Sequence, residues 1–253
     1  MDSRVAVVSG GTKGIGAAVV DRLRKEGYAV VTGSRSATPE HGDDLTVVRA
    51  DLGTPQGVAA LAAAALDRGR VDALVNNVGG TDARASFLDV TDAQWEQGFA
   101  VNVLSAVRLT RALLPALLES GGAVVNVSSV NARLPFPMVV DYSAHKAALT
   151  NLTTALSEEF APQGVRVNAV SPGPVRTPAW TDEGRIADGM AAATGSTREQ
   201  VLEEGVPATM RIALGRMGQA DEVAAAVAFL LGPDARWITG TDLVVDGGTI
   251  KAA

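Results

Sequence analysis

The chain contains no cysteine, which excludes disulfides, thiolate zinc sites, iron–sulfur clusters and a cysteine nucleophile together. Histidine is almost missing: His41 and His145 are the only two, too few for a multi-histidine metal centre. An excess of basic charge is missing as well. Lys plus Arg number 22 against 28 Asp plus Glu, a formal net charge of −6, so a general nucleic-acid binder with a basic face is excluded. A local basic pocket for a small anion stays open. No apolar run approaches the roughly eighteen residues of a membrane span, and the Ala-rich stretch around Leu61 is too short. The start, Met1-Asp2-Ser3-Arg4, lacks the basic and apolar regions of a signal peptide. A soluble, cytoplasmic protein without membrane or nucleic-acid partners is therefore expected.

What is present is 47% hydrophobic residues over 253 positions, enough for a large core in one domain spanning 1–253. Strand-like runs at 4–9, 28–32, 45–49, 71–76, 123–128, 165–170 and 243–245 alternate with helical patterns at 15–26, 55–67, 91–100, 103–119, 141–161 and 221–231. The strands are continuous Val/Ala/Leu runs rather than alternating ones, so both faces are buried. The expected fold is α/β: a single-domain, Rossmann-type doubly wound sheet of about seven mostly parallel strands with helices on both faces. Residues 179–216 interrupt the alternation after the sixth strand. An insertion there is placed to cover a site at the carboxyl ends of the strands, or it is a surface elaboration.

The first strand runs into Ser9-Gly10-Gly11-Thr12-Lys13-Gly14-Ile15-Gly16. Glycines at this βα turn let a diphosphate approach the helix N-terminus, although an ordinary turn has the same look. The second strand leads to Ser34-Arg35, with no acid where an NAD-binding unit places one for the ribose 2′-hydroxyl. Arg35 and Lys13 suit a 2′-phosphate instead, and solvated surface cations are the alternative. Asp51 follows the third strand and could accept from an adenine amino group or belong to the next helix's N-cap region. Asn76-Asn77-Val78-Gly79 ends the fourth strand, where polar side chains can bridge strand ends and cofactor.

Tyr142 and Lys146 lie four residues apart on one helical face. A nearby ammonium lowers a phenol's pKa, which makes Tyr142 a usable proton donor or acceptor for a carbonyl/alcohol pair. Ser129, after the fifth strand at the same sheet edge, could hold the substrate oxygen; Ser128 competes on the residues alone.

In order and spacing, Ser9-Gly10 with Gly14-Ile15-Gly16, then Asn76-Asn77-Val78-Gly79, Asn102, Ser129, Tyr142 with Lys146, and Pro172-Gly173 with Val175 and Thr177 resemble the short-chain dehydrogenase/reductase family over essentially the whole chain. The resemblance implies Tyr142 as acid/base, Ser129 rather than Ser128 as the carbonyl's partner, Lys146 on the nicotinamide ribose, and Asn102 supporting a water chain to Lys146. It implies Val175 and Thr177 at the carboxamide. Gly10, Thr12, Lys13, Gly14, Ile15, Gly16, Ser34, Arg35, Asp51, Leu52, Asn76, Tyr142, Lys146, Pro172 and Gly173 complete the cofactor set. The pair Lys13 and Arg35 resembles the NADP(H)-preferring members. Ser9 stands where Thr is usual and Val78 where Ala is usual.

The implied activity is interconversion of a ketone and a secondary alcohol with NADP(H). The implied assembly is a homotetramer, with residues 103–119 and 141–161 at one interface and 241–248 at another. The substrate is a small-molecule or acyl-thioester carbonyl compound. Its pocket is expected from 130–138 and 179–216, with Phe136, Pro137, Met138 and Trp180 as an apolar wall and Asn131, Arg133 and Arg84 as polar anchors, unless these pack internally or at an interface. A related enzyme using NAD, and a dinucleotide-binding sensor or scaffold without turnover, are the other readings.

Overall fold

The computed structural model describes residues 4–251. The ends of the expected 1–253 domain, residues 1–3 (Met1-Asp2-Ser3 of the leader reading) and 252–253, lie outside the described residues. The elements run β1 (Arg4–Ser9), α1 (Gly14–Lys25), β2 (Tyr28–Ser34), β3 (Glu40–His41), β4 (Leu45–Arg49), α2 (Pro55–Leu66), β5 (Ala73–Asn76), α3 (Asp92–Phe99), α4 (Ser105–Ser120), β6 (Ala123–Val127), α5 (Val140–Phe160) and β7 (Arg166–Pro172). Four short helices follow, α6 (Pro178–Thr181), α7 (Ile186–Thr194), α8 (Arg198–Gln200) and α9 (Val206–Thr209), then α10 (Ala220–Leu231) and β8 (Asp242–Val245).

These strands form one sheet in the order β3-β4-β2-β1-β5-β6-β7-β8, parallel except for β3. The eighth strand is thus the two-residue antiparallel edge strand Glu40–His41. It is exposed and polar, so it carries no apolar pattern to read. Successive residues of β1 serve opposite faces. Ala6 and Val8 pack with Val19 and Leu23 of α1 and Val223 and Val227 of α10, whereas Val5 and Val7 pack with Leu61 of α2 and Leu109 and Leu113 of α4. Strand order reverses between β2-β1 and β5-β6, and the crevice at such a switch point lies beyond the carboxyl ends.

Two helices were expected at 91–100 and 103–119. The chain instead stays helical from Asp92 to Ser120, passing through a π turn at Ala100–Leu104. By length and composition this run could cross a membrane, which the sequence reading did not anticipate; Leu109, Leu113 and Leu117 are buried against the sheet, as in a core helix. Residues 179–216 gather around a small apolar cluster of their own, with Ala187, Val201, Leu202, Val206, Ile212 and Met217 buried and Trp180 packed against them.

Candidate active site

The glycine turn is held rigidly from below. Thr32 Oγ1 accepts from Gly11 N at 3.0 Å and donates to the Val8 carbonyl at 2.6 Å. Ser9 Oγ accepts from the backbone N–H of Asn77 and Val78 at 2.9 and 3.0 Å, and the Asn77 amide donates to Ser9 O and Gly10 O at 3.0 and 3.3 Å. Gly10 and Gly14 have φ of +71° and +56°, the left-handed region that favours glycine. A Cβ at Gly16 would stand 2.3 Å from the Gly10 carbonyl oxygen, so the close backbone approach demands glycine there. Lys13 is the N-cap of α1 and makes no side-chain cap, and the first turn carries no acid. This cradle of backbone N–H groups at a helix's positive end fits a diphosphate.

Thr12 Oγ1 donates to Ser34 Oγ at 2.8 Å and ties the turn to the end of β2. Lys13 and Arg35 are exposed and have no ion-pair partner among the described residues. A third cation stands with them that sequence reasoning missed. Arg49 pairs in register with Ser34 across β2 and β4, and its Nε donates to the Arg35 carbonyl at 3.3 Å. Its signal was available: it is the last residue of the strand beside Ser34.

Two sequence expectations change here. Asn76 does not face the cradle with its side chain. Its amide donates to Asn126 Oδ1 at 2.8 Å and Thr110 Oγ1 at 3.0 Å, and Asn126 donates on to Thr153 at 2.8 Å. This is a buried brace from β5 through β6 to α5, so Asn77, not Asn76, supports the glycine turn. The N-cap of α2 is Thr54, whose Oγ1 accepts from Gly57 N. Asp51 is exposed, with Oδ1 turned onto Gly53 N at 3.0 Å, and Leu52 is buried beside it.

On the far side of the cradle, β7 ends at Pro172. A Cβ on Gly173 would meet Asp246 at 2.8 Å, so the chain crosses β8's end closely there. Val175 is buried and forms a bridge with Gly218, and Thr177 lies 3.4 Å from the position of a Cβ on Gly14. Ile15 is half-buried between these parts. The loop after β7 therefore leans over the glycine turn.

Beyond it stand Ser129, Tyr142, Lys146 and Asn102. Ser128 is spent on α5, with Oγ donating to the Lys146 carbonyl at 3.1 Å and paired with Thr150 Oγ1 at 2.7 Å. Ser129 Oγ accepts from Asn131 N at 3.1 Å and stands beside the Tyr142 phenol, whose pKa it lowers. Lys146 Nζ donates to the Val127 carbonyl at 2.7 Å and lies 5.5 Å from the Tyr142 ring centre. Burial pushes the phenol up to about 12, outweighing the opposite influence of Ser129, and burial pushes the Lys146 ammonium down to about 8. The lowered phenol expected beside a lysine is thus reversed by desolvation. At neutral pH Tyr142 holds its proton.

Asn102 sits in the π turn, where it is buried. It accepts from Gly80 N and donates to Gly80 O and Gly98 O, all at 3.0 Å. A Cβ on Gly79 would come within 2.8 Å of Asn102 Oδ1 and 3.1 Å of Lys146 Nζ, so Asn102 and the lysine meet around Gly79. π turns recur at functional sites for this kind of inward aim. His145, one position before Lys146, is buried edge-on to Trp95 and Phe99, with no hydrogen-bond partner on either ring nitrogen; burial holds its pKa down, against Asp141. Two of the three expected polar anchors are already engaged in ion pairs. Arg84 grips Asp141 Oδ2 at 2.7 Å, and Arg133 reaches Asp242 at 3.0 Å.

The family described as Enoyl-(Acyl carrier protein) reductase matches residues 10–249. The chain belongs to the short-chain dehydrogenase/reductase family. It is 38% identical to an uncharacterized oxidoreductase of Methylorubrum extorquens over 98% of each chain. It is 35% identical to an acetoacetyl-CoA reductase of Rhizobium meliloti over 97% of this chain and 98% of the relative. The L-sorbose reductase of Gluconobacter frateurii, solved with NADPH and L-sorbose, superposes over 100% of both chains with a TM-score of 0.89 at 28% identity. A short-chain oxidoreductase is thus the protein's class, and the single Rossmann-like α/β sheet is its scaffold.

Proposed function

We propose that the protein is an NADP(H)-preferring oxidoreductase that interconverts a ketone and a secondary alcohol, with Tyr142 as acid/base. The observation that carries this is the meeting of Ser129, Tyr142 and Lys146 at the sheet edge beside the glycine cradle. Gly10, Gly14 and Gly16 would admit the diphosphate, and Val175 and Thr177 would flank the nicotinamide. The bound dinucleotide would supply or accept the hydride. Tyr142 would give its proton to the substrate oxygen, and its high pKa keeps that proton in place until the oxygen becomes basic. Ser129, fixed by Asn131 N, would donate to the same oxygen as charge develops. Lys146 would hold a ribose hydroxyl from the floor of the site. Lys13, Arg35 and Arg49, which have no ion-pair partner among the described residues, support the 2′-phosphate and hence NADP(H) over NAD(H).

Replacing Tyr142 by Phe tests the reading. Carbonyl reduction should fall by about 10²–10⁴-fold while NADPH binding, followed by fluorescence, is retained. Turnover at the unsubstituted level would reject Tyr142 as the acid/base.

The proposal extends to a homotetramer with α4 and α5 at one interface and residues 241–248 at another. Near that second end Trp237 is 97% exposed and Phe229 44%. A sedimentation mass of a single chain would reject it.

A further inference from the structure

The reaction above gives no task to His145, although it lies between Tyr142 and Lys146 on α5. Its ring is 3% exposed, and neither nitrogen has a hydrogen-bond partner among the described residues. A buried polar group left this way weakens the fold, and an apolar side chain would avoid the cost. A second residue that is costly in its own place stands against it. Gly98 belongs to α3 and lies outside the left-handed region that favours glycine, so its local effect is only to weaken the helix. The two residues account for each other. A Cβ on Gly98 would come 2.6 Å from His145 Cε1 and 3.1 Å from Nδ1, so the imidazole rests on bare backbone. Trp95 and Phe99, on the same helix as Gly98, meet the ring edge-on with centroids 5.4 and 5.7 Å away.

What rests on this contact is the aim of Asn102. Its amide donates to the Gly98 and Gly80 carbonyls, and its Oδ1 accepts from Gly80 N. The Gly79-Gly80 turn held in this way lies against Lys146 Nζ, on the residue that follows His145. A closed circuit of contacts therefore runs from His145 through Gly98, Asn102 and Gly79 back to Lys146. We infer that His145 is a positioning residue for Asn102 and Lys146: its ring spaces α5 from the start of the π turn and so sets where the ammonium stands against the strand-end loop. It acts through Gly98 and Asn102 rather than on the substrate. The inference rests on the carbonyl-reductase reading above, in which Lys146 holds the nicotinamide ribose. A displacement of about 1 Å in such a support costs up to about 10²-fold in rate.

Rapid mixing separates this role from stability. The single-turnover rate of NADPH oxidation is followed at the nicotinamide band, per bound NADPH, with ethyl acetoacetate first in a panel of simple ketones. H145A removes the ring and G98A drives a methyl into it; each should slow the step by about tenfold to a hundredfold. The preference for NADPH over NADH should stay as in the unsubstituted protein, because neither change touches Lys13, Arg35 or Arg49. G98A/H145A should recover most of the G98A loss, since the added methyl enters space that the ring has left, whereas independent residues would multiply their effects. L113A, a core truncation of α4 outside this circuit, should lower Tm and leave the rate per bound NADPH unchanged. Singles that slow the step no more than L113A does, or that multiply in the double, would overturn the inference and leave the reductase reading intact. Loss of NADPH binding in all three variants would overturn it too, since the contact would then serve the fold alone. An unsubstituted protein that binds NADPH and reduces none of the ketones would overturn that reading and this inference with it.

Discussion

Arg84 and Asp141 make the most testable contact around the site. Asp141 directly precedes Tyr142, its side chain is 3% exposed, and Arg84 is 14% exposed. Oδ2 accepts from Arg84 Nε and Nη2 at 3.2 and 2.7 Å, while Oδ1 has no hydrogen-bond partner among the described residues. Replacing Arg84 by Met keeps an apolar side chain of similar reach and strands the carboxylate. Removing one member of a buried pair costs about 3–5 kcal/mol; Arg84's residual exposure puts this case near the lower end, about 3 kcal/mol. For a chain of this size that corresponds to a fall in Tm of about 6–12 °C.

The pH dependence has a fixed sign. Burial pushes Asp141 up, but the bonds from Arg84 and the Tyr142 backbone win and hold it below the ordinary carboxylate value. Its stabilising contribution is therefore present above that ordinary value and is lost as pH falls through the lowered one. In the Met variant burial is unopposed, so Asp141 titrates higher. The deficit is full at pH 7 and shrinks toward pH 4 as the stranded group takes a proton. Urea unfolding at both pH values measures it, and R84M/D141N should recover most of the loss. A pH 7 deficit under about 0.5 kcal/mol, or one that does not change with pH, would refute the assignment.

Ser129→Ala should lower kcat by about 10²–10³-fold, as losing one donor to a developing oxyanion does; Ser128→Ala should instead cost about 1 kcal/mol of stability with kcat nearly kept. With NADPH as the varied substrate, kcat/KM should fall as pH rises through about 8, where Lys146 loses its charge; a flat profile to pH 10 would reject that role. Arg35→Asp should reverse the preference between NADPH and NADH in initial rates, and an unchanged ratio would place the 2′-phosphate elsewhere. Gly16→Ala should abolish dinucleotide binding by calorimetry, because its Cβ would meet the Gly10 carbonyl at 2.3 Å; retained binding would show that the turn can yield.

Most of this architecture is written in local pattern. The Val-rich runs of β1, β5 and β6 and the glycines at 10, 14 and 16 leave few alternatives, because buried parallel strands and positive φ impose them directly. Helical spacing joined Tyr142 and Lys146, whereas the strand end offered both Ser128 and Ser129, and the family resemblance chose Ser129. What stayed hidden depends on partners distant in sequence. Asn76 looked like a cofactor ligand until β6 and α4 offered its amide Asn126 and Thr110. Arg84 and Arg133 looked free until Asp141 and Asp242 were folded against them. The rise of the Tyr142 pKa is a matter of burial, which a pair of residues four apart does not reveal. Arg49 needed the register of β4 against β2 to come beside Ser34.

The wide turn at Ala100–Leu104 amounts to one spare residue wound into an otherwise regular rod. Removing one residue there would let the rod rewind as plain α-helix with its two sides still in phase, because a π turn holds one more residue than the α turn it replaces. Trp95 and Phe99 would keep their places against the His145 ring, while the widened stretch that aims Asn102 at Gly80 would be gone. A single-codon deletion thus discriminates between helix continuity and the placement of Asn102: the rod would survive it, and the grip on the strand-end loop would not.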